Sequence, residues 1–383
     1  MLRWARQRRN VTEAEIAEKI GTSPERVRSW EDDESKDYPT LRQAQKFAGA
    51  VHIPFGYLYL SQPPVITTPL PDLRTVSGTE SGELSPDFLD QLHDVLRKQS
   101  WYREYQERRE ALDLEFVGRF NVNDAPEVIA RDMVDVLGID EAMRRQASSW
   151  QHFLTLFVRR AEAVGVLVFR SGVVGGNPHR PLSVKEFRGF AISDTLAPAI
   201  FINSKDAKAA QTFTLAHELA HLWIGASGIS NPDYKARPGD QPNVIDRLCD
   251  KVAAEVLVPE ADFLSRWRAG HSTHENLQRL ASHYRVSRFV VLRRAFDVKM
   301  ITEQEFWQHY DELMDDSHQV TGEGGNFYNL LLARNSPTLT FTLVSLAIEG
   351  QIPRRDAARL LNVRAGTIEK IRRELMGGSA PDD

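Results

Sequence analysis

The sequence predicts a mostly helical α+β protein, with an N-terminal helical bundle, a central core that contains a small sheet, and a helical C-terminal region. Short amphipathic segments separated by polar breaks fill residues 3 to 60 and return along most of the chain. Three apolar strand-like runs stand together before a long helical segment: VGVLVF near 164 to 169, FRGFAI near 187 to 192 and PAIFIN near 198 to 203.

A length of 383 residues exceeds one ordinary core, so we expect several domains. The stretch from 61 to about 86 is rich in proline, serine and glycine and marks a linker, and TGEGGN at 321 to 326 indicates a hinge. The predicted divisions are a helix-turn-helix bundle at 1–62, a linker and helical connector at 63–120, the core at 121–320, and a helical region at 321–383.

Composition narrows the class of protein. Hydrophobic residues make up 42% of the chain and charged residues 26%, which is typical of a soluble globular protein. Cys249 is the single cysteine, which excludes an internal disulfide framework and favours the cytoplasm. No run is apolar and long enough to span a membrane. The formal net charge of -5 argues against non-specific coating of nucleic acid, although a local basic face remains open.

The first sixty residues contain two helix-start signals. Thr12 and Glu15 have capping-box spacing, and Ser23 precedes a proline at the first helical position. The segment TEAEIAEKIGTSPERVRSWE, 12 to 31, resembles the XRE-type helix-turn-helix. The resemblance implies that its second helix enters the major groove, with these residues as candidates for contact with DNA: Ser23, Glu25, Arg26, Arg28 and Ser29.

The balance of basic and acidic residues in this bundle does not determine whether its partner is DNA or a protein. Residues 1 to 60 hold ten lysines or arginines and nine acidic residues, and EDDE, 31 to 34, follows the presumed reading helix. Acidic side chains there would oppose contact with phosphate. DNA binding and docking of a protein partner are therefore both kept as hypotheses.

The segment KDAKAAQTFTLAHELAHLWIG, 205 to 225, is helical in composition; Asn203 and Ser204 are candidate caps and Gly225 a candidate stop. His217 and His221 lie four residues apart, so both imidazoles project from one face and can close on one ion. A catalytic zinc ion takes three protein ligands and leaves a position for water. Glu218 would be the general base.

A third zinc ligand must come from elsewhere, and the predicted helix at 243 to 259 offers three carboxylates. Asp246 and Asp250 are four apart and share a face, whereas Glu255 lies about half a revolution from Asp246. We assign Asp246 to the metal and Asp250 to the free N–H of a metal-bound histidine. Glu255 remains the alternative ligand.

Two stretches, FTLAHELAHLW (213 to 223) and DRLCDKVAAEVLVP (246 to 259), resemble the ImmA/IrrE family of metallopeptidases. The resemblance implies a zincin-like core with a small sheet, a zinc cofactor, and cleavage of a repressor or related regulator. Asp246 stands where the family has a glutamate ligand, and Asp250 where asparagine is common. Aspartate is shorter by roughly 1.5 Å, so the second helix must approach more closely or bind metal less well.

Two later stretches, 277 to 296 and 354 to 375, repeat the helix-turn-helix spacing. The second is locally basic, and Arg364, Thr367 and Lys370 could meet nucleic acid, although packing is the expected role of both stretches.

The leading hypothesis is a cytoplasmic zinc endopeptidase that cleaves a regulator protein, with a helix-turn-helix that binds DNA or that partner. The alternative is a DNA- or protein-binding regulator, or an antitoxin-like protein, with a structural or inactive zinc site.

Overall fold

The computed structural model describes residues 1–9, 11–32, 34–64, 70–71, 84–230, 243–317 and 326–377. Within these ranges the protein is mostly helical with one small sheet, as the sequence predicts. The predicted linker and hinge fall largely outside the described residues. The helices up to residue 64 form one compact unit with the start of the next helix, and residues from Leu92 onward belong to a second. No helix in the described ranges could cross a membrane.

The first unit is built from α1 (Leu2–Arg8), α2 (Glu13–Ile20), α3 (Pro24–Glu31), α4 (Leu41–Ala50) and the start of α5 (Pro86–Arg108). Both predicted helix starts are confirmed. Thr12 and Glu15 form a reciprocal capping box, and the Ser23 hydroxyl accepts the Arg26 amide at the start of α3. The apolar faces of these helices meet in one core: Ala5, Ile16, Ala17, Ile20, Val27, Trp30 and Phe47.

An ion pair crosses this core. The Arg6 guanidinium donates to both oxygens of Glu31 at 2.7 Å, and the Glu31 side chain is only 2% exposed. The hydrogen bond to Glu31 raises the pKa of Arg6. A buried carboxylate is costly without such a partner, so this pair ties α1 to the end of α3.

In the second unit, helices both precede and follow the strands of the sheet along the chain. Its helices are α6 (Pro126–Leu137), α7 (Glu141–Gln146), α8 (Trp150–Ala163), α9 (Lys208–Trp223), α10 (Val244–Leu257), α11 (Glu260–Arg266), α12 (Thr273–Tyr284), α13 (Arg288–Asp297), α14 (Glu303–Ser317), α15 (Phe327–Asn335), α16 (Pro337–Ile348), α17 (Arg354–Leu360) and α18 (Thr367–Gly377). Short breaks at Gly138 and around Ser148 separate α6, α7 and α8.

The sheet contains the three predicted strands and one more. β1 (Leu167–Ser171), β2 (Gly189–Ile192), β3 (Ala199–Asn203) and β4 (Gly228–Ser230) lie in the order β1-β3-β2-β4. β1 and β3 are parallel, and the other two pairs are antiparallel. The sequence analysis missed β4 because three residues are too few for a period-two pattern. Its pairing with β2 sets Ser230 opposite Gly189.

Helix α9 lies in the core of the second unit. Every residue from Ala210 to Trp223 is buried. Such burial is expected for a helix that carries apolar residues on all its sides. The predicted caps were wrong, because Asn203 ends β3 and the helix begins after Ala207 without a side-chain cap. The predicted stop is confirmed, since Gly225 follows the helix end with φ of 68°.

We predict that Glu31→Ala destabilises the first unit by about 2 kcal/mol, because it removes two charge-assisted hydrogen bonds and leaves the partly buried guanidinium of Arg6 with only Glu13 as a carboxylate partner. Hydrogen exchange of the amides of α1 to α3 in the full chain measures the opening free energy. Arg28→Ala is the matched control, since its bond to Glu13 lies on a side chain that is 68% exposed and should be worth less than about 1 kcal/mol. Equal losses in the two variants would contradict the prediction.

Candidate functional site

Helices α9 and α10 pack side by side and bring two imidazoles and one carboxylate to a single point. His217 and His221 lie one turn apart on α9, and Asp246 lies in the first turn of α10. One ligand atom from each residue falls within 4.8 Å of the others. All three side chains are buried, the two histidines completely. In the described part of the chain, this is the group of side chains arranged to hold a metal ion.

The spacing of the ligand atoms fits zinc. The two Nε2 atoms lie 3.2 Å apart, and Asp246 Oδ1 lies 3.2 Å from His221 Nε2 and 3.7 Å from His217 Nε2. Bonds of 2.0–2.1 Å in a tetrahedron separate neighbouring ligand atoms by about 3.3–3.4 Å. Asp246 Oδ1 is also buried without a hydrogen-bond partner among the described residues. The residues present therefore fit three of the four positions around a tetrahedral ion.

Asp250 orients one of the imidazoles. Its Oδ1 lies 2.9 Å from His217 Nδ1, so a proton on Nδ1 leaves the lone pair of Nε2 directed at the ligand cluster. Glu255, the alternative ligand, faces elsewhere, because it accepts a hydrogen bond from Arg294. The half-revolution between Asp246 and Glu255 accounts for this difference.

Burial and mutual contacts perturb the pKa values of the cluster. Burial lowers the pKa of His217, but the nearby carboxylates of Asp246 and Asp250 outweigh burial and raise it to about 10. Burial raises the pKa of Asp246, yet its contacts with His217 and His221 lower it overall. Burial also lowers the pKa of His221. Without a metal ion the cluster therefore carries a proton on His217 against the Asp246 carboxylate.

Glu218 follows His217 on α9, and a side chain of the sheet holds its carboxylate in place. Its Oε1 accepts a hydrogen bond from the Ser230 hydroxyl, whereas its Oε2 is buried with no partner in the described ranges. Burial raises the pKa of Glu218 to about 8. A carboxylate with one fixed oxygen, one free oxygen and a pKa near neutrality can accept and return a proton.

Gly189 makes room for Glu218. A Cβ atom at this position on β2 would lie 2.5 Å from Glu218 Oε1 and 2.9 Å from the Thr214 methyl carbon. The roles of Gly189 and Ser230 could not be predicted from the sequence, because they arise from the pairing of β2 with β4 and from the packing of α9 on the sheet. No local signal in the sequence reports such long-range register.

The exposed face of α3 contains the predicted DNA candidates. Glu25, Arg26 and Arg28 are exposed, and Ser23 is engaged as the helix cap. Arg26 contacts Asp37 at 3.5 Å, and Arg28 contacts Glu13 at 3.2 Å. Ser29 is half-buried and shares a hydrogen bond with Ser35. The cations of this face are thus already near carboxylates.

Fold and site together define a metallopeptidase-like regulator that carries a helix-turn-helix. Residues 161–296 match the peptidase M78 family model described as the IrrE N-terminal-like domain, and residues 2–58 match the model described as helix-turn-helix. Both resemblances drawn from the sequence are thereby confirmed, and the first match spans β1 to α13 with both ligand-bearing helices. No curated protein and no solved structure matches the chain.

We predict that the purified chain holds about one zinc ion, because three ligands are preassembled. Elemental analysis should find zinc absent from His217→Ala and Asp246→Ala and retained in Glu218→Gln. Asp250→Ala should weaken zinc affinity by about 10- to 100-fold, since it removes the orienting bond to His217. Glu255→Gln is the matched control on the same helix. Loss of zinc from this control with retention in Asp246→Ala would reverse the assignment.

We also predict that zinc binding near neutral pH releases about one proton. Since the pKa of His217 is raised to about 10, its imidazole is protonated below that pH and must lose the proton to bind a metal ion. Apparent affinity should therefore rise about tenfold per pH unit up to this pKa. Calorimetric titration in buffers of different ionisation enthalpy counts the protons, and a count near zero would exclude this protonation state.

Proposed function

We propose that this chain is a zinc-dependent endopeptidase that cleaves a repressor or another regulator protein. The observation that carries the proposal is the buried cluster of His217, His221 and Asp246, whose ligand atoms have the separations of a tetrahedral zinc site. The peptidase-class family match over 161–296 supports it independently. Three protein ligands and an open position are typical of catalytic zinc, whereas structural zinc has four protein ligands.

Each neighbouring side chain has a proposed task in peptide hydrolysis. Zinc supplies a Lewis acid that polarises the scissile carbonyl and lowers the pKa of water. Glu218 Oε2 takes the proton of the attacking water and returns it to the leaving amine, while Ser230 keeps Oε1 fixed. Asp250 holds the His217 ring in the orientation that ligation requires.

The helix-turn-helix in the same chain supports a regulator as the substrate. We propose that the N-terminal unit delivers the peptidase to operator DNA or to a DNA-bound partner through the face of α3. The cytoplasm, inferred from the single cysteine Cys249, is the proposed compartment.

A second candidate is a DNA- or protein-binding regulator, or an antitoxin-like protein, whose zinc site is structural or inactive. Two observations favour it. The ligand is the shorter Asp246 where the resembled family has glutamate, and Glu218 is fully buried. A regulator of this kind would keep zinc and the fold without hydrolysing peptides.

The decisive test is digestion of a proteome-derived peptide library by the zinc-loaded full chain, with cleaved sequences identified by mass spectrometry. Glu218→Gln should keep its zinc and lose about 10²- to 10⁴-fold in cleavage rate, because it removes the general base. Cleavage that persists in Glu218→Gln would point to a contaminant. A zinc-loaded chain that cleaves no peptide would favour the regulator.

We predict that Gly189→Ala loses cleavage as Glu218→Gln does, yet keeps zinc, because the added methyl group displaces the Glu218 carboxylate and not the ligands. Elemental analysis and the rate on any library peptide that the unmodified chain cleaves measure the two effects. Gly270→Ala is the matched control, since a Cβ there meets nothing within 4 Å. A fully active Gly189→Ala variant would show that Glu218 tolerates displacement.

A further inference from the structure

One backbone pattern recurs three times along the chain. It consists of a buried alanine, a residue with positive φ four positions later, and buried side chains at ten and thirteen positions after the alanine. In the N-terminal unit, which matches the helix-turn-helix model, the φ of Gly21 is 75°. The three sets are Ala17, Gly21, Val27 and Trp30; Ala281, Arg285, Val291 and Arg294; and Ala358, Asn362, Ile368 and Ile371.

The third set repeats the turn geometry of the first. Asn362 has φ of 54°, the left-handed conformation that glycine and asparagine tolerate best. It lies between α17 and α18, as Gly21 lies between α2 and α3. Buried Ile368 and Ile371 then fix one face of α18 inward, as Val27 and Trp30 do for α3. The helix pair α17–α18 is therefore a helix-turn-helix by backbone as well as by spacing.

The second set uses its second helix for packing. Arg294 on α13 is buried, donates from Nε to the Val258 carbonyl at 2.8 Å, and pairs with Glu255. The expected packing role of the 277 to 296 segment agrees with these contacts. A repeated turn geometry alone therefore does not create a nucleic-acid-binding surface. The side chains on the outward face of the second helix determine whether it can bind nucleic acid.

The outward face of α18 is open and suited to a groove. Arg364, Ala365 and Gly366 are exposed just before the helix, and Lys370 and Arg373 are exposed along it. In a helix-turn-helix, residues near the start of the second helix contact base edges in the major groove. Ala365 and Gly366 are small enough to let the backbone approach closely, while the cations flank them.

Charge favours a polyanion at this face. Residues 354 to 374 contain seven lysines or arginines and three acidic residues, against ten and nine in residues 1 to 60. In the described ranges, four of these cations form no ion pair: Arg359, Arg364, Lys370 and Arg373. By contrast, Arg26 and Arg28 on α3 each contact a carboxylate. Unpaired cations can neutralise phosphates without first breaking a bond.

We infer that residues 354–374 form a second DNA-binding surface, with α18 in the major groove of a duplex and the cations of α17 on the phosphates. The sequence predicts a packing role for this segment, and in the structure that role belongs to its buried face, while its exposed face is the proposed DNA-binding surface. This inference does not rest on the metal site, so DNA binding and peptide cleavage fail or succeed separately.

The test is fluorescence anisotropy of the full chain with a labelled 24-base-pair DNA duplex of mixed sequence, titrated at several salt concentrations. The triple variant Arg364→Ala, Lys370→Ala, Arg373→Ala should lower the slope of log affinity against log salt by about 2 to 3, since each lost phosphate contact removes about 0.9. At about 0.1 M salt its affinity should fall at least about tenfold.

A matched triple variant removes three exposed cations elsewhere in the second unit, Arg131→Ala, Arg159→Ala and Lys185→Ala, and should keep the unmodified slope. Glu218→Gln should also bind DNA unchanged. Duplex RNA should compete poorly, because its major groove is too narrow for a helix. The inference is overturned if the unmodified chain binds no duplex, if the α18 variant retains affinity and slope, if the matched control loses as much, or if duplex RNA competes as well as DNA.

Discussion

The contact between α9 and α10 is the interaction on which the rest of the second unit depends. It gathers four ionisable side chains, His217, His221, Glu218 and Asp246, all of them buried. Burying charge is costly unless each group is paired, hydrogen-bonded or bound to metal. The sheet supplies Ser230 to Glu218 and α10 supplies Asp250 to His217, so neighbouring elements offset part of this cost. Among the buried atoms without a hydrogen-bond partner in the described ranges are Asp246 Oδ1, which a metal ion would engage, and Glu218 Oε2, which a reacting water would engage.

The residues of this site whose positions depend on helix periodicity could be predicted from the sequence. A spacing of four places His217 and His221 on one face, and the same spacing sets Asp250 one turn beyond Asp246. Helix phase also separates Glu255 from the cluster. The roles of Ser230 and Gly189 could not be predicted, because they depend on how a three-residue strand pairs with β2 and on which side of the sheet α9 packs. Tertiary register of that kind leaves no mark in local sequence.

The helix-turn-helix units show the same division between local and tertiary information. A buried alanine, a left-handed residue and two inward side chains produce one backbone in three places. Local sequence therefore predicts the shape of each unit. The use of that shape is set by what surrounds the second helix. On α13, Arg294 packs inward and donates to the Val258 carbonyl. The cations of α3 lie near carboxylates, whereas Lys370 and Arg373 of α18 form no ion pair in the described ranges. Fold alone does not assign function, and the outward side chains do.

The aspartate ligand is accommodated by the residues around it. A side chain shorter by roughly 1.5 Å requires the backbone of α10 to approach α9 more closely than a glutamate would. Helix separation depends on the side chains at the contact. Ala220 on α9 precedes His221, and Cys249 and Ala253 follow Asp246 by about one and two turns of α10; all three are fully buried in the core of the second unit. Small side chains permit two helices to approach closely, and Asp246 Oδ1 does come within 3.2 Å of His221 Nε2 and 3.7 Å of His217 Nε2.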